Sequence, residues 1–135
     1  MKDHTGRCLC GAVRYVARGT PKSVSNCHCN LCRRASGGPF VTFARYAKEQ
    51  VEFTHGAPAW YRSSDSAERG FCPACGGSLA YREAKRSDSI WLTVGMMDDP
   101  RDLVPQYHIF TDSMLPWLKI DDDLPRHGEW PTAHA

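Results

Sequence analysis

The chain has 135 residues, of which 41% are apolar and 24% are charged. This length accommodates one compact domain and excludes two domains of ordinary size. Its 17 basic and 15 acidic residues exclude a dominant polyanion-binding field, and no apolar run approaches the roughly 20 residues of a membrane span. Residues 1–10 carry charges and two cysteines where a secretory leader would have an apolar run of about 7–15 residues. We therefore expect a soluble, cytoplasmic protein with no membrane partner.

Short β-branched and aromatic runs, separated by Gly, Pro, Asp and Ser, predict a mainly β chain. Residues 12–18 alternate as in a half-buried strand and end at the turn signal Gly19-Thr20-Pro21. Further strands are predicted over residues 40–44, 51–53, 59–62, 78–82, 90–94 and 107–110. One short helix is predicted over residues 30–36, because Gly37-Gly38-Pro39 would stop it. The expected fold is a single domain of short antiparallel strands with little helix.

The C-terminal part of the chain differs in composition. From residue 121 onward, aspartates, two prolines and a polar end predict an extended tail that either wraps the domain or frays. We therefore divide the chain into a domain over residues 1–124 and a tail over residues 125–135. Trp60, Trp91 and Trp117 are expected in the core, because the chain has few large apolar residues.

The seven cysteines carry the strongest functional signal. An odd number in a reducing compartment argues against a disulfide framework. All of them fall in short-spaced groups: Cys8 and Cys10; Cys27, Cys29 and Cys32; Cys72 and Cys75. Thiolates two or three residues apart can converge on one tetrahedral ion, which dispersed core cysteines cannot do. The spacing therefore predicts zinc binding in preference to redox-active or merely buried thiols.

The spacing also predicts how the cysteines divide. The three cysteines within residues 27–32 need the least chain ordering to share one ion, which leaves the two pairs to form a four-thiolate structural site. Gly76 and Gly77 support that site, because glycine after the second cysteine of a knuckle allows a positive φ and aims N–H groups at sulfur. A tetrahedral ion with three protein ligands keeps one position for water or substrate. The smaller site is therefore the candidate for chemistry.

The histidines are weaker candidates. His28 lies between two predicted ligands, but alternate residues of an extended segment point in opposite directions, so we expect it in a supporting or solvent-facing role. His108 is of interest because it lies in the apolar run of residues 107–110. His4, His55, His127 and His134 have no ligand spacing, and a lone histidine is more often a hydrogen-bonding group.

Three cysteine-containing segments resemble one known family. Residues 6–15, 27–34 and 71–79, followed by Tyr107-His108-Ile109, are similar to the glutathione-dependent formaldehyde-activating enzymes, a family that includes the centromere protein V group. The match spans about residues 5–120, with all seven cysteines in the family's order and spacing.

The resemblance implies a β-tent fold with two zinc sites. It carries the structural zinc onto Cys8, Cys10, Cys72 and Cys75, and the catalytic zinc onto Cys27, Cys29 and Cys32. It also implies addition of the glutathione thiol to formaldehyde, giving S-hydroxymethylglutathione, a carbon–sulfur lyase activity in reverse that would serve formaldehyde detoxification.

Two mechanisms are consistent with an open zinc position. Zinc would lower the pKa of a bound thiol, or it would polarise the aldehyde oxygen. Arg33 and Arg34 follow the last ligand and are candidates for binding a carboxylate of a tripeptide thiol, although they also fit as solvated charges on a short helix. No general base is evident.

The alternative function is a non-catalytic zinc module that carries glutathione or another small thiol, or that binds a protein partner. A third possibility keeps the fold and the metal with a different electrophile or thiol. Seven thiolates and two zinc ions would change the formal charge from +2 to about −1, so no basic surplus remains for nucleic acid.

Overall fold

The computed structural model describes residues 2–131, and within that range the chain is mainly β, as predicted. It contains ten strands and one α-helix. The elements in chain order are β1 (His4–Arg7), β2 (Arg14–Ala17), β3 (Ser23–Cys27), α1 (Asn30–Ser36), β4 (Val41–Ala47), β5 (Val51–His55), β6 (Ala59–Arg62), β7 (Ala67–Phe71), β8 (Ser78–Glu83), β9 (Ser89–Thr93) and β10 (Tyr107–Ile109).

The strands of the described range form two sheets. The smaller has the order β1-β2-β5, and the larger has the order β10-β3-β4-β9-β8-β7-β6. The pairings are antiparallel except that of β10 with β3, which is parallel. Strand β9 is buried along its whole length because it lies between β4 and β8. This order places β3, which ends at Cys27, next to the β10 edge of the large sheet.

The buried side chains separate into two groups. The larger group contains Tyr15, Tyr46, Leu79 and Leu92, and it includes Cys8 and Cys72. The second contains Cys27, Cys32, Phe43, Trp91 and Ile109, with Trp130 packed against it. Each set of cysteines therefore has members buried in a separate apolar cluster.

Helix α1 has the bounds that its flanking residues predict. The Sγ atom of Cys29 caps its N-terminus by accepting the Cys32 amide at 3.2 Å. Gly37 ends it with φ = 77°, and the Gly37 amide donates to the Arg33 carbonyl at 2.8 Å. A left-handed C-cap of this kind favours glycine. The first turn of α1 thus holds two predicted ligands.

The described part of the tail lies against the domain. The His108 amide donates to the Pro125 carbonyl and the His127 amide donates to the His108 carbonyl, both at 2.9 Å. The Trp130 ring lies 5.4 Å from that of Phe110. The remaining tail residues, 132–135, include His134 and lie outside the described range.

The core predictions for two tryptophans have opposite outcomes. Trp91 is buried as predicted, whereas the core prediction for Trp117 is wrong, since 66% of that residue is exposed. Trp117 lies outside the strands, in a turn that follows Leu115, so no sheet face covers it. Among residues 2–131, no helix is long and apolar enough to cross a membrane.

Candidate metal centres

Four of the predicted ligands meet between two loops. Cys8 and Cys10 lie in the β1–β2 loop, and Cys72 and Cys75 lie in the β7–β8 loop. Their Sγ atoms all lie within 4.8 Å of one another. We call this group the four-cysteine cluster. It joins chain segments that are 62 residues apart, counted from Cys10 to Cys72.

The geometry of the four-cysteine cluster fits a tetrahedral ion. The Sγ–Sγ distances are 3.7 Å from Cys8 to Cys10 and 3.8 Å from Cys10 to Cys72. Four sulfur atoms at the usual Zn–S distance of about 2.3 Å would be about 3.8 Å apart. An all-sulfur donor set of this kind suits zinc.

Backbone amides surround the sulfur atoms of this cluster. The Val13 amide donates to Cys8 Sγ at 3.3 Å, and the Cys75 amide donates to Cys72 Sγ at 3.4 Å. Burial opposes ionisation of Cys8, but the Val13 amide and the neighbouring thiols lower its pKa to about 6. Gly76 has φ = 77°, which closes the knuckle. The backbone is therefore arranged to stabilise thiolates and to close the site.

The other three predicted ligands meet where β3 passes into α1. The Sγ–Sγ distances are 3.0 Å from Cys29 to Cys32 and 3.1 Å from Cys32 to Cys27. We call this group the three-cysteine cluster. No other Cys, His, Asp or Glu of the described residues joins it. The donor set again suits zinc, and three protein ligands leave a fourth tetrahedral position.

Ionisation within the three-cysteine cluster is unequal. Hydrogen bonds from the Cys27 and Cys32 thiols, together with the Cys32 amide, hold the pKa of Cys29 far below its usual value. Hydrogen bonds with the Cys29 and Cys32 sulfur atoms, together with burial, raise the pKa of Cys27. Cys29 is therefore the first of the three to become a thiolate.

Arg69 is a cation at this cluster that sequence analysis missed. Its Nη1 and Nη2 atoms lie 3.6 and 3.7 Å from Cys32 Sγ, and its guanidinium lies over the Tyr81 ring at 5.1 Å. Burial alone would lower the pKa of Arg69, but the charge and the hydrogen bond of Cys32 raise it overall. No sequence signal marked Arg69, because its place depends on the pairing of β7 with β8, where Arg69 lies opposite Tyr81.

Arg33 and Arg34 occupy different positions. Arg33 is half-buried and donates from Nη2 to Asn30 Oδ1 at 3.2 Å. Arg34 is exposed and lines a groove of about 500 Å³ that Leu31, Ser63 and Arg69 also line. Contact of Arg33 and Arg34 with a thiol cofactor therefore stays a prediction.

The three-cysteine cluster forms part of the wall of a cavity of about 180 Å³. We call it the cluster cavity. Most of its other lining side chains are apolar or aromatic: Leu31, Phe43, Ala67, Tyr81, Trp91, Ile109, Phe110 and Trp130. Its polar lining is limited to Ser25, Asn30, Ser63, Ser64 and Arg69. A ligand in this cavity would therefore meet sulfur on one side and largely apolar surface elsewhere.

His28 lies outside both clusters and is buried, which excludes the solvent-facing alternative. Its Nε2 atom lies 2.9 Å from His108 Nδ1, and His108 Nε2 lies 2.9 Å from Asp122 Oδ2. Burial and the nearby His108 lower the pKa of His28 to about 4. His28 thus connects the segment between two predicted ligands to His108 of β10, which in turn contacts Asp122.

Asp122→Ala is expected to lower the free energy of unfolding by about 1–3 kcal/mol, because it leaves buried His108 without its carboxylate partner. Urea unfolding measures this loss. Asp123→Ala is the matched control, since Asp123 is exposed. Equal losses for the two variants would show that the contact between Asp122 and His108 adds nothing to stability.

The geometry of the clusters agrees with comparisons to known proteins. The sequence model of the glutathione-dependent formaldehyde-activating enzyme family matches residues 3–113, which include all seven cysteines. The chain belongs to this family. A Schizosaccharomyces pombe protein named as an uncharacterised lyase is 36% identical over 100 residues, which cover 71% of this chain and 72% of the relative.

A solved structure supports the fold of this family member. A crystal structure of a Rhodobacter sphaeroides protein superimposes with a TM-score of 0.61 at 24% identity. The match covers 75% of this chain and 97% of that one.

Proposed function

We propose that the protein is a zinc-dependent carbon–sulfur lyase that joins glutathione to formaldehyde and reverses that reaction. Support comes from the family and from the lyase name of the yeast relative. The observation that carries the proposal is the placement of Cys27, Cys29 and Cys32 in the wall of a cavity. A purely structural metal site would be closed by four protein ligands.

The reaction requires no oxidant or reductant. The thiol sulfur bonds to the aldehyde carbon, the carbonyl π bond breaks, and the thiol proton ends on the oxygen. Zinc bound by the three-cysteine cluster would supply Lewis-acid character and would lower the pKa of a coordinated thiol. The four-cysteine cluster would hold the second, structural zinc.

The chain's own residues have separate parts in this proposal. Cys29 ionises first and so provides the initial negative charge for the metal. Three thiolates carry more charge than a divalent ion, and Arg69 offsets the negative charge that remains. The aromatic lining of the cluster cavity excludes water and thereby strengthens these interactions.

One observation favours a second candidate function, a glutathione carrier without turnover. No Asp, Glu or His of the described residues lines the cluster cavity. A site without such a proton acceptor would bind a thiol more readily than it would move the thiol proton.

Exchange NMR with ¹³C-formaldehyde and glutathione distinguishes these candidates. We expect zinc-loaded protein to accelerate exchange between free formaldehyde and S-hydroxymethylglutathione, and Cys29→Ser to abolish the acceleration. Glutathione binding without acceleration would instead identify a carrier. A protein that shows no glutathione binding and no acceleration would overturn both functions.

Replacing Arg33 and Arg34 together by alanine is expected to weaken glutathione binding by about tenfold while the zinc content is unchanged, because the carboxylates lose charge-assisted partners. Calorimetric titration measures the change. Arg62→Ala provides a control with an exposed arginine that lies outside α1 and lines neither the cluster cavity nor the Arg34 groove. Unchanged affinity in the double variant would show that both arginines are ordinary surface charges.

The cytoplasmic location and the absence of nucleic-acid partners belong to the same proposal. They are supported by composition and charge alone.

A further inference from the structure

We infer that the cluster cavity also accepts an aldehyde carrying one aromatic ring, in addition to formaldehyde. This inference rests on the proposed function, because it adds a second electrophile at the same site. It is carried by the size and lining of the cavity, the position of the charges and an unpartnered hydroxyl group.

The size of the cavity exceeds what formaldehyde needs. Its volume is about 180 Å³. An apolar protein cavity of about 150 Å³ holds benzene, whereas a water molecule, which like formaldehyde is a very small molecule, occupies about 30 Å³ in the liquid. The volume therefore fits a ring with one small substituent.

The walls of the cavity are aromatic and held in place. The Tyr81 ring lies 5.4 Å from that of Trp91 at an interplanar angle of 77°, and the Phe110 ring has the same distance and angle to Trp130. Arg86 lies over the Trp130 ring at 4.7 Å from outside the cavity lining. A further ring in the cavity would meet aromatic side chains with which it could form edge-to-face or offset-stacked contacts.

The cationic side chains favour the neighbouring groove for the ionic parts of glutathione, since Arg34 and Arg69 both line it. Arg69 is the lining cation among the described residues, and Cys32 already engages it. The neighbouring groove carries Arg34 and shares Leu31, Ser63 and Arg69 with the cavity. Its volume of about 500 Å³ is within the range of ligand sites, about 300–1,000 Å³. The groove thus fits the peptide part of the thiol, and the cavity remains for the aldehyde.

Ser63 supplies a polar contact at the junction of the two spaces. Its Oγ atom is buried and has no hydrogen-bond partner among the described residues. Ser63 lines both the cavity and the groove. A buried hydroxyl group without a partner is costly, and an aldehyde oxygen would accept its hydrogen bond.

Binding of benzaldehyde to zinc-loaded protein tests the inference without a need for turnover. Calorimetry, together with tryptophan fluorescence, to which Trp91 and Trp130 of the cavity contribute, is expected to give a Kd at least about tenfold lower for benzaldehyde than for acetaldehyde. Equal affinities for the two aldehydes would overturn the inference.

Two variants localise the site. Trp130→Ala is expected to raise the Kd for benzaldehyde by about tenfold, whereas Trp117→Ala, at an exposed tryptophan outside the cavity, leaves it unchanged. Because loss of Trp130 also removes a contact between the tail and the domain, Ser63→Ala provides a smaller change, with an expected increase of about fivefold. Ser66→Ala is its control, since Ser66 does not line the cavity. Unchanged binding in both Trp130→Ala and Ser63→Ala would overturn the placement.

The rates of glutathione addition to benzaldehyde and to formaldehyde separate this inference from the proposed function. Acceleration of glutathione addition to both formaldehyde and benzaldehyde supports both. Acceleration with formaldehyde and none with benzaldehyde overturns the inference and leaves the proposed function standing. Benzaldehyde binding without acceleration for either aldehyde overturns the proposed function.

Discussion

Cys72→Ser is expected to unfold the domain under conditions in which Cys29→Ser remains folded. Cys72 belongs to the four-cysteine cluster, which connects the β1–β2 loop to the β7–β8 loop. A structural zinc contributes about 10–16 kcal/mol of apparent folding free energy in zinc-finger peptides. Because small domains are stable by only about 5–15 kcal/mol, loss of that site removes most of the stability.

The three-cysteine cluster holds together a much shorter piece of chain. Cys27 and Cys32 are 5 residues apart, and the entropy of closing a loop grows with its length. Cys29→Ser therefore removes a ligand and the N-cap sulfur of α1 but leaves the sheets connected. Thermal unfolding of both zinc-loaded variants, followed by circular dichroism, measures the difference. Equal losses of Tm would show that the two clusters contribute alike to folding.

Arg69→Met is expected to weaken zinc binding at the three-cysteine cluster by about 10–100-fold, the usual cost of removing a side chain that supports metal ligands. The guanidinium offsets thiolate charge at Cys32, so its loss raises the pKa values of the thiols. Protons then compete better with zinc. The pH at which half of this zinc is released is accordingly expected to rise.

A chelator competition carried out across a pH series measures both effects of Arg69→Met. Arg82→Met is the matched control, because Arg82 lies on the adjacent strand β8, pairs with Glu68 at 3.0 Å and lines neither the cavity nor a cysteine cluster. Arg69→Lys keeps the charge and is expected to recover part of the affinity. If Arg69→Met and Arg82→Met release zinc at the same pH, the guanidinium has no part in holding the cluster.

The division of the cysteines is the feature that sequence predicts best. Short spacing limits which thiols can meet, so residues 27–32 had to form one group whatever the rest of the fold. The helix over residues 30–36 was equally predictable from the sequence, because Gly37 adopts the left-handed conformation that ends it. Local geometry determines both features.

The strands that carry or adjoin the candidate site were harder to predict. Strand β3 is mostly polar, yet it is buried between β4 and β10, where Asn26 accepts a hydrogen bond from Thr42 at 2.6 Å. Strand β7 contains charged Glu68 and Arg69 and lacks a simple apolar alternation. Such strands are stabilised by partners that are distant in sequence, so neither composition nor periodicity reveals them.

The arginine near the metal ligands shows the same limitation. Arg33 and Arg34 are adjacent to Cys32 in sequence, but Arg69, 37 residues away, contacts its sulfur. Pairing of β7 with β8 and burial among aromatic side chains bring it there. Adjacency along the chain predicted the three-cysteine cluster but not the cation that contacts it.

The zinc content of natively purified protein tests the central claim most directly. We expect close to two zinc ions per chain, because the four-cysteine and three-cysteine clusters each present a sulfur donor set for one ion. Elemental analysis of Cys29→Ser alongside the wild type is expected to show about one ion per chain, retained by the four-cysteine cluster in a folded protein. Folded wild type without zinc, or a Cys29→Ser variant that keeps both ions, would contradict this account.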